Sequence, residues 1–217
     1  APRVILTEGG SMTDIYVYNQ LTKDNNGNIK VDQNGNLGIT SSNTPVKVGN
    51  LDADFNLGWT NHFTYKGIDL GIVLSARVGG LAYSATQGIL DYYGVSGTSA
   101  TARDNGGIPI NNGKVNAQKY YQTIGTGEGG YGRYYLYSAT NVRLQELSLN
   151  YTLPKRWFKN VANVTLGVVG RNLWMIYCKA PFDPELSAST SSNYYMNVDY
   201  FMQPSLRNFG FNVKVQF

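Results

Sequence analysis

The 217-residue chain has a single cysteine, Cys178, and a single histidine, His62. One thiol closes no disulfide within the chain, and no second Cys or His stands at metal-ligand spacing. A disulfide framework and a zinc site are both excluded. Charge is scarce as well, at 15% of residues against about 25% in an ordinary soluble domain. The net charge of +4 is small and dispersed, which excludes the clustered basic stripe that nucleic acid requires. No run of 18 apolar residues occurs, the nearest approach being Val161 to Val169. No transmembrane helix is expected, and a membrane wall built of strands remains open. The N-terminus, Ala-Pro-Arg, lacks the basic, apolar and cleavage-site series of a secretory precursor, which suggests a processed or excised part of something longer.

What the chain does contain is tyrosine, 17 residues of it, and long stretches of period two. Phe55, Leu57, Trp59, Phe63 and Tyr65 alternate with Asn56, Gly58, Thr60, His62 and Thr64. After Lys66-Gly67, which reads as a tight hairpin turn, Ile68, Leu70, Ile72, Leu74, Ala76 and Val78 alternate with Asp69, Gly71, Val73, Ser75 and Arg77. Leu147, Leu149, Tyr151 and Leu153 continue the pattern up to Pro154, which donates no ladder bond. Val164, Leu166 and Val168 open a further strand whose second half, through Trp174 and Tyr177, is irregular enough to predict a bulge. Phe209, Phe211, Val213, Val215 and Phe217 form the last. The expected strands are 55–66, 68–80, 142–153, 163–177 and 205–217.

Each strand runs to about ten residues or more, enough to cross a bilayer when tilted, whereas soluble strands average about five to six. The apolar faces are nearly free of charge, and Trp59, Tyr65, Trp157, Trp174, Tyr177 and Phe217 fall toward strand ends, where aromatic girdles sit. The opposite faces carry Asp69, Arg77, Arg171 and Lys214, charges that a wet lumen accepts and a dry sandwich core does not. The expected fold is therefore all-β, a transmembrane antiparallel β-barrel wall. A soluble extracellular β-sandwich that binds carbohydrate through Tyr-rich loops shows the same alternation, and strand length favours the barrel. Short links at 66–67 and 154–163 alternate with long loops at 81–141 and 178–204, which places the short turns in the periplasm and the long loops outside. Residues 1–54 then belong to an extracellular loop, with a small hairpin expected around the Asn26-Gly27-Asn28 and Asn34-Gly35-Asn36 turn signals. Five strands close no barrel, and open edges in hydrocarbon leave backbone groups unpaired, so the wall needs further strands.

Several stretches carry a family resemblance. Gly170-Arg171-Asn172-Leu173-Trp174 followed by Phe182-Asp183-Pro184-Glu185 resembles the penultimate-strand signature of the SusC/RagA-type TonB-dependent outer-membrane transporters. Val142 to Pro154, Gly49 to Gly67 and Arg207 to Phe217 resemble the family's neighbouring strands in the same order. The resemblance implies a 22-stranded barrel with an N-terminal plug, of which this chain supplies strands 18–22. It also implies import of glycans or peptides across the outer membrane of a Gram-negative cell. That import works with a SusD-like surface lipoprotein, and TonB acts through the N-terminal part of the same transporter. No enzyme and no cofactor are implied.

The ligand or lid contacts expected in the loops are Tyr92, Tyr93, Tyr131, Tyr134, Tyr135, Tyr194 and Tyr195, with Tyr120 and Tyr121 beside them, because sugars and peptides stack on aromatic faces. Asp69, Arg77 and Arg171 are expected to line the lumen or hold the plug. Asp183 and Glu185 invite a glycosidase reading, but a catalytic pair is defined by separation in space. A structural role for the two, fixing the start of the outer loop through charge-assisted bonds to backbone amides, is favoured. Gly125 to Gly130 fits G-x-G-x-x-G without the strand and helix that a phosphate loop requires. His62 reads as a polar lumen residue. Lys155, Arg156 and Lys159 flank Trp157 and Phe158 in a turn that either meets lipid headgroups or is simply solvated. Phe217 resembles the C-terminal aromatic signal read by the outer-membrane assembly machinery.

Overall fold

The computed structural model describes residues 2–186 and 197–216. The chain divides into two units. One, the wall unit, contains residues 53–79, 139–184 and 203–217. Its five strands are β1 (Phe55–Tyr65), β2 (Ile68–Val78), β3 (Asn141–Thr152), β4 (Asn163–Cys178) and β5 (Asn208–Gln216). They form one antiparallel sheet in chain order, β1 and β5 being its edges. The β1–β2 turn is of the mirror-image type, since Lys66 and Gly67 both have positive φ. A side chain at Gly67 would also press on the Thr152 carbonyl.

Register converts the alternation of each strand into continuous rows. Phe63, Leu70, Leu149, Val168 and Phe211 lie side by side across all five strands, as do Tyr65, Ile68, Tyr151, Leu166 and Val213. Between them runs the polar row Thr64, Asp69, Asn150, Gly167 and Asn212. Gly167 is a packing requirement there, because a Cβ would collide with the Asn150 and Asn212 side chains. The apolar rows are uncovered: Leu149 is 46% exposed, Val213 53% and Phe211 69%. A soluble sandwich would pack this face on a second sheet, whereas here its side chains stay open. Burying such a side chain is worth about 1.5–3 kcal/mol. Several left in water would offset the whole net stability of a domain, about 5–15 kcal/mol. The sheet is a length of transmembrane β-barrel wall with an apolar outer face. Among the described residues no helix is long and apolar enough to cross a membrane.

One irregularity resets the pattern. β3 shifts register between Leu144 and Glu146 against both neighbours: Gln145 is the extra residue against β2, while against β4 the extra residue is on β4. Below it the apolar face takes Leu147, Leu149 and Tyr151; above it, Val142 and Leu144, which pair with Ala76 and Leu74 of β2. Arg143 is thereby turned to the polar side, opposite Ser75. The bulge expected in the second half of β4 lies opposite, at Asn172, whose φ is +52°.

The second unit contains residues 1–52, 80–138 and 185–202. Asp14–Leu21 pairs with Ile39–Asn50 as a hairpin, with Arg3–Val4 added at its edge. Between the hairpin strands stand two successive turns built alike. In each, an Asp (Asp24, Asp32) accepts from the backbone N–H groups two and four residues on and from an Asn side chain. The segment read as a long loop also holds three short helices: α1 (Ala85–Tyr92), α2 (Gly97–Asp104) and α3 (Ala117–Ile124). Ser84, Ser96 and Asn116 cap their N-termini through side-chain oxygens. Their core gathers Ala102, Ala117, Tyr121, Ile124 and Tyr135, with Leu37, Ile110 and Val115.

An arginine on the apolar face, Leu149→Arg, is expected to cost the assembled barrel about 2–4 kcal/mol and to reduce its heat-modifiable band on gels of outer membranes. Thr60→Arg, on the polar face, is expected to leave that band unchanged.

Candidate functional site

Chemistry-bearing side chains gather in two places, one in each unit. In the wall unit a closed polar network forms above the bulge. The Arg143 guanidinium donates to Asp183 at 2.7 Å, with the two side chains only 4% and 7% exposed. Arg143 also reaches Asn141 at 3.3 Å and Asn172 at 3.4 Å. Asn172 donates to the Ser205 hydroxyl at 2.8 Å, and Ser205 in turn donates to Asp183. The ring joins β3, β4, the turn after β4 and the approach to β5. Asn172 and Asp183 of the resembling motif are therefore partners in space through Arg143 and Ser205. Asp183 is engaged by a guanidinium rather than presented to a substrate.

On the polar face Arg171 donates to Glu146 at 2.7 Å across β3 and β4, in an exposed pair. Asp69 accepts from Thr64 at 2.8 Å and lies 3.9 Å from His62. Arg77 stands on the same face between Asn56 and Asn141. These residues share one face but no single cluster.

In the second unit the tyrosines form a connected aromatic group. Tyr120 meets Tyr121 edge-on with centroids 5.1 Å apart and Tyr134 at 6.1 Å, and Tyr134 meets Tyr135 at 5.1 Å. Beside them sits the Asp91 carboxylate, 2% exposed, which accepts from Gln87 at 2.8 Å and Thr98 at 3.0 Å, and from Ser96. Burial raises the Tyr120 and Tyr135 phenols well above their ordinary value; for Tyr135 the neighbouring Asp91 charge adds to it. Burial also pushes Tyr121 and Tyr137 up to about 12. Tyr92 and Tyr93, in edge contact at 5.2 Å, border a cavity of about 270 Å³ with Asp91, Arg103, Tyr121 and Gln122.

The expected contact tyrosines thus separate by exposure. Tyr93 is 73% exposed, and Tyr92 and Tyr134 are open to solvent. Tyr131 is half-buried against the core. Tyr135 is 1% exposed and offers no surface to a ligand, because its ring packs over Gly88 and inside the helical core. Tyr194, Tyr195 and Phe217 lie outside the described residues. Sequence reasoning missed Arg143, whose signal was the consecutive polar pair Gln145-Glu146 breaking the alternation. It also missed the exposed ring pair Tyr200 and Phe201, 5.5 Å apart.

An antiparallel wall with an apolar outer face and long segments at one end is the architecture of outer-membrane barrel transporters. The chain is similar to the TonB-dependent receptor P3 of Formosa agariphila, with 27% identity over 201 residues, which cover 89% of the chain and 19% of that receptor. Among solved structures it matches the RagAB peptide importer in its open-open state (TM-score 0.61, 16% identity) and its closed-closed state (TM-score 0.59, 17% identity). Each match covers 94% of this chain and 23% of that one. The chain therefore spans about a fifth of the length of these relatives. No protein-family model matches it. The resemblance to the C-terminal part of a SusC/RagA-type TonB-dependent transporter, carried by the motifs, holds over most of the chain.

Breaking the buried pair by Arg143→Gln or Asp183→Asn is expected to destabilise the full-length protein by about 3–5 kcal/mol, since each leaves a desolvated partner behind. The midpoint of heat-modifiable unfolding should fall, and Arg143→Met with Asp183→Leu should recover part of the loss. The tyrosine cluster makes a second prediction. A raised phenol stabilises the fold fully below its ordinary pKa of 10.0 and loses that contribution as pH climbs through the raised value. Tyrosinate absorbance should rise in two steps, exposed residues first and the cluster at about 12 or above together with loss of structure. A single step near 10 would contradict the packing.

Proposed function

We propose that the chain forms strands 18–22 and the outer loops of a TonB-dependent transporter that imports glycans or peptides across the outer membrane. The carrying observation is the uncovered apolar face that runs in register over five strands while the opposite face holds the charges. A lipid-facing exterior and a wet interior demand this division. The rest of the same transporter supplies the plug, the earlier strands and the TonB contact, and a SusD-like lipoprotein closes over the outer loops. Segments 1–54, 81–141 and 178–204 face outward, and the short turns face the periplasm.

Within this reading Tyr92, Tyr93 and Tyr134 contact the ligand or the lid through exposed rings, and Tyr194 and Tyr195 belong to the same set. Asp69, Arg77 and Arg171 line the lumen and contact the plug. Asp183 is structural, and no covalent chemistry is involved. Phe217 acts as the assembly signal.

Uptake by cells carrying the full-length transporter tests this. Uptake of an oligosaccharide or oligopeptide mixture should collapse when TonB is removed. It should fall about thirtyfold with Tyr93→Ala and Tyr134→Ala together, each truncation of a contact ring costing about 1 kcal/mol. The surface level of the protein should stay constant. Uptake that continues without TonB would overturn the proposal.

A further inference from the structure

The short-turn end of the wall carries charge of one sign. Its two turns are neighbours, joined by the Thr152 N–H donating to the Gly67 carbonyl at 2.7 Å. The first contributes Lys66, whose ammonium lies 5.1 Å above the Tyr65 ring. Tyr65 ends one of the apolar rows, so this cation sits at the border of the apolar face. The second turn runs from Pro154 through the 3₁₀ segment Lys155–Phe158, closed by Asn160 N–H to the Lys155 carbonyl and Val161 N–H to the Phe158 carbonyl. Lys159 and Asn160 both adopt left-handed φ, +53° and +61°, a conformation that two successive non-glycine residues hold only when the surroundings impose it. The result displays Lys155, Arg156, Trp157 and Lys159 outward, with Trp157 64% exposed.

Among the described residues of this end no Asp or Glu side chain balances these cations. Residues 151–168 and 205–216 contain no Asp or Glu, and the nearest, Asp69, faces the polar side with Thr64. The other end of the same sheet is mixed, with Asp54, Arg77, Arg143 and Asp183. A purely solvated turn needs neither an exposed indole nor uncompensated cations at the edge of an apolar band. Together they match a headgroup region, where indole sits at the interface and cations meet phosphate.

We propose that this rim, Lys66 with Lys155, Arg156, Trp157 and Lys159, binds the phosphate of an anionic glycerophospholipid of the inner leaflet. The inference rests on the membrane-wall reading. The cations supply the phosphate contacts, and Trp157 lies at the level of the ester groups and fixes the depth of the lipid.

The test uses the full-length transporter in bilayers of phosphatidylethanolamine with and without phosphatidylglycerol. Native mass spectrometry then reads which phospholipid stays bound after extraction. The wild type should retain phosphatidylglycerol in preference to phosphatidylethanolamine. The Lys155→Gln, Arg156→Gln, Lys159→Gln variant should lose that preference by about fivefold per cation removed. Trp157→Ala, with charge unchanged, should lower retention of the same lipid. Should the triple variant fail to assemble, Arg156→Gln alone is read in the same way. An unchanged lipid ratio in an assembled variant overturns the proposal, and so does displacement of phosphatidylglycerol by inorganic phosphate, which would make the rim a site for free anion. A protein that stays in solution without detergent would instead sink the wall reading itself.

Discussion

An extended strand sends alternate side chains to opposite faces, and in this chain one of those faces is held apolar while nothing in the described residues covers it. The rest of the structure depends on that constraint. Because the period is two, a slip of one residue in any strand would exchange the faces along its whole length. The register that aligns Phe63, Leu70, Leu149, Val168 and Phe211 must therefore be pinned. The Lys66-Gly67 turn pins it between β1 and β2. The glycine at position 167, where two asparagine side chains meet, pins it between β3, β4 and β5.

The bulge at Gln145 serves the second requirement, that charge be confined to one side. By inverting the phase of β3 it brings Arg143 to the polar face, and the ring of Arg143, Asp183, Ser205 and Asn172, with its Arg143–Asp183 pair buried, becomes possible. Buried charges are tolerated when they are paired and hydrogen-bonded, and here each member of the ring has a partner. The network fixes the places where the chain leaves β4 and enters β5.

Much of the wall was legible in the amino-acid order, because a face left uncovered keeps an alternation that no tertiary contact overrides. Phe209 to Gln216 reads as strand for the same reason that its apolar side chains remain open. The Arg143–Asp183 pair was not legible, since its members stand 40 residues apart and meet only after a phase inversion. The helices were hidden differently. Eight-residue helices gain little from local propensity and exist through packing on Tyr121, Ile124 and Tyr135. Ser84 followed three residues on by Gln87 was the available capping signal. The same burial takes Tyr135 from the surface to the interior, a distinction that composition cannot make among neighbouring tyrosines.

The most direct measurement is cysteine accessibility along β3 in the full-length protein in intact outer membranes, with Cys178 replaced by serine. A water-soluble thiol reagent should label positions 148, 150 and 152 and leave 147, 149 and 151 unlabelled, with the phase inverted above 145 so that 142 and 144 are protected. Uniform labelling, or protection of the polar positions instead, would contradict the division of this wall between lipid and water.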